Sequence, residues 1–127
     1  MADSKIEQYL IDLMLTYQHL ESNLWLLDDE NHSLQGVAVM HADPLVIIRA
    51  EIMDVPKNNL LELYTKLLEL NAADLLHGAY ALENGKIILI NTLEYEHMDY
   101  EGFRAALDSF GLALTQHYPV LSKYREK

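Results

Sequence analysis

The dipeptide Asn84-Gly85 sits between two apolar runs, His77–Glu83 and Lys86–Tyr95. A two-residue type I′ turn needs positive φ at both central positions, and Asn-Gly adopts that geometry at the least steric cost. The dipeptide therefore predicts an antiparallel hairpin and commits the chain to a sheet. Upstream, Leu24-Trp25-Leu26-Leu27 reads as a short strand that is apolar on both faces, followed by the polar turn Asp28–His32. Residues 34–42 and 45–54 read as two further strands broken at Asp43-Pro44, since proline cannot donate to a ladder. In the second of these, Val46, Ile48 and Ile52 are expected to point one way and Arg49 and Glu51 the other.

Three helices are expected around these strands. Ser4 and Glu7 form a capping box, after which Ile6, Tyr9, Leu10, Leu13, Tyr17 and Leu20 recur at helical spacing. That helix is expected to end near Glu21-Ser22-Asn23. A leucine-rich helix follows Pro56 over about residues 57–71, with Asn71 as its stop. Asp99 caps a last helix carrying Phe103, Leu107, Phe110 and Leu114, which Pro119 ends or kinks. The tail with Lys123, Arg125 and Lys127 is basic. The reading is one α+β domain over residues 1–127. Its order is α-βββ-α-ββ-α, with helices packed against an antiparallel sheet.

Charge and composition remove several function classes. The net charge is −11, and residues 1–56 carry ten acids against two bases, Lys5 and Arg49. Such a surface repels phosphate backbones, so a nucleic-acid partner is not expected. The start, Met-Ala-Asp-Ser-Lys-Ile-Glu, lacks the layout of a signal peptide. No apolar run is long enough to span a bilayer, so no membrane partner is expected. There are no cysteines, which removes disulfides, thiolate zinc sites and a cysteine nucleophile, and favours a cytoplasmic location.

Chemistry-bearing motifs are absent. His41 with Asp43, and Glu94 with Glu96 and His97, are pairs and clusters at strand ends without a third ligand at motif spacing. The acidic turn at 28–33 has no glycine for a sharp bend, and Val39 stands where a calcium loop needs its last glutamate. No serine sits in a nucleophile elbow, and the five glycines are too scattered to cradle a phosphate. No catalytic residue, metal or cofactor is expected. A small enzyme whose site assembles from distant residues remains as a rival class. A deep pocket holding a histidine and a carboxylate would mark it.

The leucine-rich helix carries the functional signal. Leu60, Leu61, Leu63, Tyr64, Leu67, Leu68 and Leu70 cover an arc of about 180°, where a single core contact needs about 100°. A flank of such a helix is either sunk in a concave sheet or forms a subunit interface, most simply a two-fold one. The strands add a second surplus, with Trp25 and Leu27 opposed to Leu24 and Leu26, and Ile88 and Ile90 opposed to Ile87, Leu89 and Leu93. Helices on one face only would leave apolar side chains open on the other, and such patches mark binding sites.

The stretch Leu67-Leu68-Glu69-Leu70-Asn71, a short spacer, and then Gly78-Ala79-Tyr80-Ala81-Leu82-Glu83-Asn84-Gly85-Lys86-Ile87-Ile88-Leu89 has a family look. So do the entry into the last helix, Leu89 to Tyr100, and the run Phe103 to Pro119. The chain resembles the class I type III secretion chaperones of the Tir-chaperone type and the related YbjN-like sensory-transduction regulators. The resemblance implies a homodimer without catalytic residues that binds a protein partner, an effector or regulator segment. It implies that the second helix lies at the dimer interface, here through Leu61, Leu63, Leu67, Leu68 and Leu70. It further implies a partner segment wrapping over the first helix and the sheet, with Trp25, Leu27, Val37 and Val39 as the expected contacts. The chaperone role and the regulator role both stay open at this point.

Overall fold

The computed structural model describes residues 5–73, 75 and 78–125. Its elements are α1 (Lys5–Asp12), β1 (Tyr17–Glu21), β2 (Leu24–Asp29), β3 (Leu34–Ala42), β4 (Leu45–Asp54), α2 (Leu60–Ala73), β5 (Ala79–Glu83), β6 (Lys86–Glu94) and α3 (Tyr100–Ser122). Short 3-10 turns at Glu30–His32 and Tyr95–His97 follow β2 and β6. The expected α+β class with an antiparallel sheet is present. The order is α-ββββ-α-ββ-α, with one more strand before α2 than the spacing predicts. The Ser4 cap, His77 and Lys127 lie outside the described residues.

The extra strand replaces the second half of the expected first helix. Met14 takes φ 60°, a left-handed conformation that helices of L-residues do not continue through. The Leu15 amide then reaches back to the Leu10 carbonyl at 3.1 Å, which closes the helix end. Tyr17 pairs with Leu27 and His19 with Trp25. Tyr17 and Leu20 fit the helical period by coincidence; ladder bonds to β2 decide the outcome.

The sheet runs β1-β2-β3-β4-β6-β5, and every neighbouring pair is antiparallel. Asn84 and Gly85 take φ 51° and 77° and bring Glu83 opposite Lys86, the type I′ geometry that their sequence predicts. One row of side chains crosses the whole sheet on one face: Tyr17, Leu27, Val37, Ala50, Leu89 and Tyr80. In β4 the pairing register shifts between Glu51 and Met53. The inward residues are therefore Val46, Ile48, Ala50 and Met53. Ile52, expected beside Val46 and Ile48, is only partly buried.

All three helices pack against this one face. Ile6 and Leu10 of α1, Leu63, Leu67 and Leu70 of α2, and Phe103, Leu107 and Phe110 of α3 join its side chains in one cluster. Fully burying a side chain of this size contributes about 1.5–3 kcal/mol. Asn71 lies inside α2 instead of ending it. Its amide group bonds both the amide and the carbonyl of Tyr80, at 2.8 and 3.3 Å, and so pins α2 beside the edge strand β5. α3 continues through Pro119 to Ser122. The bond that proline cannot make leaves the Thr115 carbonyl on an exposed turn, where solvent can take it. Gly111 lets α3 approach the first 3-10 turn, since a Cβ there would stand 2.5 Å from the His32 carbonyl.

Candidate partner-binding surfaces

With every helix on one side, the other face of the sheet carries no helix among the described residues. Its central row is Gln18, Leu26, Ala38, Arg49, Ile90 and Ala79. Leu24, Met40 and Ile47 lie on one side of that row, and Ile88 and Ala81 on the other. An antiparallel sheet with one wet face ordinarily alternates apolar with polar residues. Here that face is itself aliphatic, with Leu24, Leu26, Met40, Ile47 and Ile90 half-buried and Ile88 3% exposed. Arg49 stands in its middle, ion-paired with Glu83 of β5. Its Nε is buried and has no partner among the described residues. A buried unpaired donor is costly, and a covering surface with an acceptor would relieve that cost.

Charge gathers at the rim of this face. Asp28, Glu51, Asp54, Glu83 and Glu94 surround it, all exposed. Lys86 bonds Asp54 at 2.6 Å. Its ammonium holds the Asp54 carboxyl below the usual carboxylate range, first through that hydrogen bond and then through its charge. Among the described residues, Arg49 and Lys86 on this face are both committed to acids.

The residues expected to contact a partner are on the opposite face of the sheet. Trp25, Leu27, Val37 and Val39 are all buried under the helices, at 2% exposure or less. The reason is parity: strands β2 and β3 are apolar on both sides, and α-helices cover the side that holds Trp25. Their alternate residues, Leu24, Leu26, Ala38 and Met40, form the open face instead.

The leucine-rich helix divides in the same way. Leu63, Leu67 and Leu70 are core residues, so they are not available to a second subunit in this fold. Leu61 is 84% exposed and Leu68 is 68% exposed. They lie seven residues apart, two turns along one flank. Leu82, on the neighbouring edge strand β5, is also exposed. A third exposed group, Ile11, Met14 and Leu20, surrounds the joint between α1 and β1. Reading residues 6–20 as a single helix hides this group; the positive φ at Met14 carries no mark in the sequence.

Two histidines at strand ends each meet one carboxylate. His41 stacks on Tyr95 with ring centroids 4.1 Å apart, and its Nε2 lies 3.6 Å from the exposed Asp43 carboxylate. His97 lies 3.8 Å from Glu94. Among the described residues no three His, Asp or Glu side chains gather as metal ligands. A cleft of about 380 Å³ between α3 and the ends of β3 and β4 has Tyr80 and His117 at its floor, with 2.7 Å between the Tyr80 hydroxyl and His117 Nδ1. Its two carboxylates, Glu30 and Glu51, are exposed. The buried acid among the described residues, Asp29, accepts bonds from the Thr16 amide at 2.8 Å and from the His32 amide at 3.2 Å. Its side chain also meets His32 Nδ1 at 3.0 Å. It ties the α1–β1 joint to the first 3-10 turn.

An apolar sheet face and a helix flank with leftover leucines are apolar surfaces left without a helix over them among the described residues. The CesT_Tir_1 family model matches residues 2–127, and the chain belongs to that family. Three solved structures share the fold. YbjN from E. coli aligns with a TM-score of 0.65 at 16% identity, covering 91% of this chain and 90% of that one. A chain of the heterodimeric ExoU-SpcU complex, from the type III secretion system of Pseudomonas aeruginosa, aligns with a TM-score of 0.66 at 14% identity, covering 93% and 98%. A chain of the ExsC-ExsE complex aligns with a TM-score of 0.52 at 12% identity, covering 92% of each. No curated protein sequence matches the chain. Among the described residues no helix is long and apolar enough to cross a membrane.

Proposed function

We propose that this chain is a non-enzymatic chaperone-type protein that holds a segment of another protein against its open sheet face. The observation that carries this reading is the aliphatic wet face with the half-satisfied Arg49 at its centre. Family membership and the likeness to chains found in two-protein complexes support it. The protein acts as a homodimer in the cytoplasm. Its two-fold contact is the α2 flank of Leu61 and Leu68 with Leu82 beside it, three exposed apolar side chains on adjoining elements. The absence of cysteine fits a reducing compartment.

The test is capture of the native partner by wild-type protein and by Ile47→Glu, with the mass of each complex read by light scattering. Ile47 is half-buried on the open face and outside the core, so the variant keeps its fold. The expected result is one dominant partner at fixed stoichiometry, lost with Ile47→Glu. Equal capture by both proteins would move the site away from the sheet. The likeness to YbjN favours a second reading, a regulator sharing the fold and the dimer. That reading predicts a clean dimer with no dedicated client.

A further inference from the structure

The strand β1 differs in kind from the five others. Each of β2 to β6 contributes at least one buried side chain, whereas β1 contributes none: Tyr17 is half-buried and Gln18, His19, Leu20 and Glu21 are exposed. Ladder bonds to β2, with a register shift between His19 and Glu21, supply most of its hold. Side-chain and backbone contacts anchor its start, among them the Asp28 amide donating to the Thr16 carbonyl at 3.1 Å and His19 Nδ1 lying 3.6 Å from Glu7. The Tyr17 hydroxyl donates to Glu7 at 2.8 Å, and the Thr16 amide donates to buried Asp29. The His19 ring lies flat on Trp25, with centroids 4.9 Å apart and planes 12° apart. Beneath that ring, Trp25 is 2% exposed and its indole N–H has no acceptor among the described residues. An edge strand of this kind is the low-stability end of a fold, since opening it exposes little apolar surface beyond one indole.

We infer that β1 is a resident stand-in for a partner strand, and that an incoming extended segment displaces it and pairs with β2 in its place. This rests on the reading that the chain holds a segment of another protein, and it names a second surface for doing so. The chemistry of the occupant follows from what the site presents. A strand projecting an apolar or aromatic side chain where His19 now sits would keep Trp25 covered without desolvating an imidazole. The flanking Ile11 and Met14, which lie before β1, offer further apolar area, both exposed. The charges that remain on the elements around β1 are Glu7 and Asp12 of α1 and Asp28 of β2, against Lys5 of α1. The fitting occupant therefore alternates apolar with basic residues, and main-chain bonds to β2 supply affinity while the side chains supply selectivity.

The probe is a synthetic peptide of about ten residues that alternates Lys with Val and Tyr, the spacing that puts one kind on each side of a strand. Hydrogen exchange separates displacement from simple addition to the outer edge of β1. With peptide bound, displacement is expected to speed exchange of the β1 amides by about tenfold or more while the β2 amides stay protected. Emission of Trp25, the single tryptophan, is expected to shift as His19 leaves it. Addition would instead slow the β1 amides, and either that result or no binding at millimolar peptide overturns the inference. The double variant Gln18→Pro/His19→Pro gives a second arm. Successive strand residues aim their amides in opposite directions, so one of the two prolines removes a bond to β2. Displacement predicts that this variant binds the peptide about threefold or more tighter, and weaker binding overturns it. Ile47→Glu is expected to leave peptide binding unchanged. Loss of the native partner in that variant with the peptide effect intact thus separates failure of one surface from failure of the other.

Discussion

Asp29 shows how much a single buried carboxylate can organise. It is 4% exposed and takes three hydrogen bonds, from Thr16, from the His32 backbone and with the His32 ring. The bond with the His32 side chain is the largest influence on its carboxyl and holds it below the ordinary carboxylate range. Its folded value is thus lower than its unfolded one. The stabilisation is present above the unfolded value of about 3.9 and is lost as pH falls through the folded value. Asp29→Asn is expected to cost about 1–3 kcal/mol at pH 7, because an amide cannot accept all three bonds. The gap from wild type is expected to narrow below about pH 4, as the wild-type carboxyl takes up its proton. Urea unfolding at the two pH values reads both. Gly111→Ala adds a second expectation at this scale. The new Cβ meets the backbone carbonyl of His32, so α3 must shift outward. The loss is expected to be about 1–3 kcal/mol, measurable as a lower urea midpoint.

At the scale of the element, α2 separates what packs from what is left over. Leu63 is fully buried, and Leu67 and Leu70 nearly so, while Leu61 and Leu68 face solvent. Leu61→Glu/Leu68→Glu is therefore expected to leave the unfolding midpoint nearly unchanged and to halve the mass seen by light scattering. Leu63→Glu is expected to unfold the chain, since it places a charge in the core where no partner awaits it. A dimeric mass for the first variant would move the two-fold contact off this helix. The width of the apolar arc was legible in the sequence because leucine spacing records it directly. Which flank is buried was not, because that depends on where Tyr80 and Asn71 fix the helix against β5. The same limit explains β2 and β3. Alternation shows two apolar faces, but only the position of the helices decides that Trp25 lies inside and Leu24 and Leu26 lie outside. The hairpin at Asn84-Gly85 needed no such context, since its turn chemistry is local. β1 needed the most: its pairing is with β2, and nothing within residues 13–21 excludes a longer helix.

At the scale of the whole molecule, acidity and the open face act on different steps of binding. The face is aliphatic, and its bases Arg49 and Lys86 are both paired with acids of the sheet. The charge that reaches into solvent around it is negative, consistent with ten acids against two bases in residues 1–56. On the proposed reading, long-range attraction for a basic segment would speed encounter, while desolvated aliphatic contact would hold the complex once formed. These contributions separate with salt, because screening shortens the reach of exposed charges to about 10 Å at 0.1 M and about 3 Å at 1 M. The association rate for the native partner is expected to fall severalfold between 0.05 and 0.5 M salt, with the dissociation rate changing far less. Ile47→Glu should show the converse pattern at fixed salt, since it adds to the negative field but interrupts the aliphatic contact. Its association rate should hold or rise slightly while its dissociation rate increases by about tenfold or more. Stopped-flow or surface-binding kinetics on the two proteins resolve both rates. A dissociation rate that rises steeply with salt in the wild type would instead mean that ion pairs hold the complex, and would place the binding energy at the acidic rim.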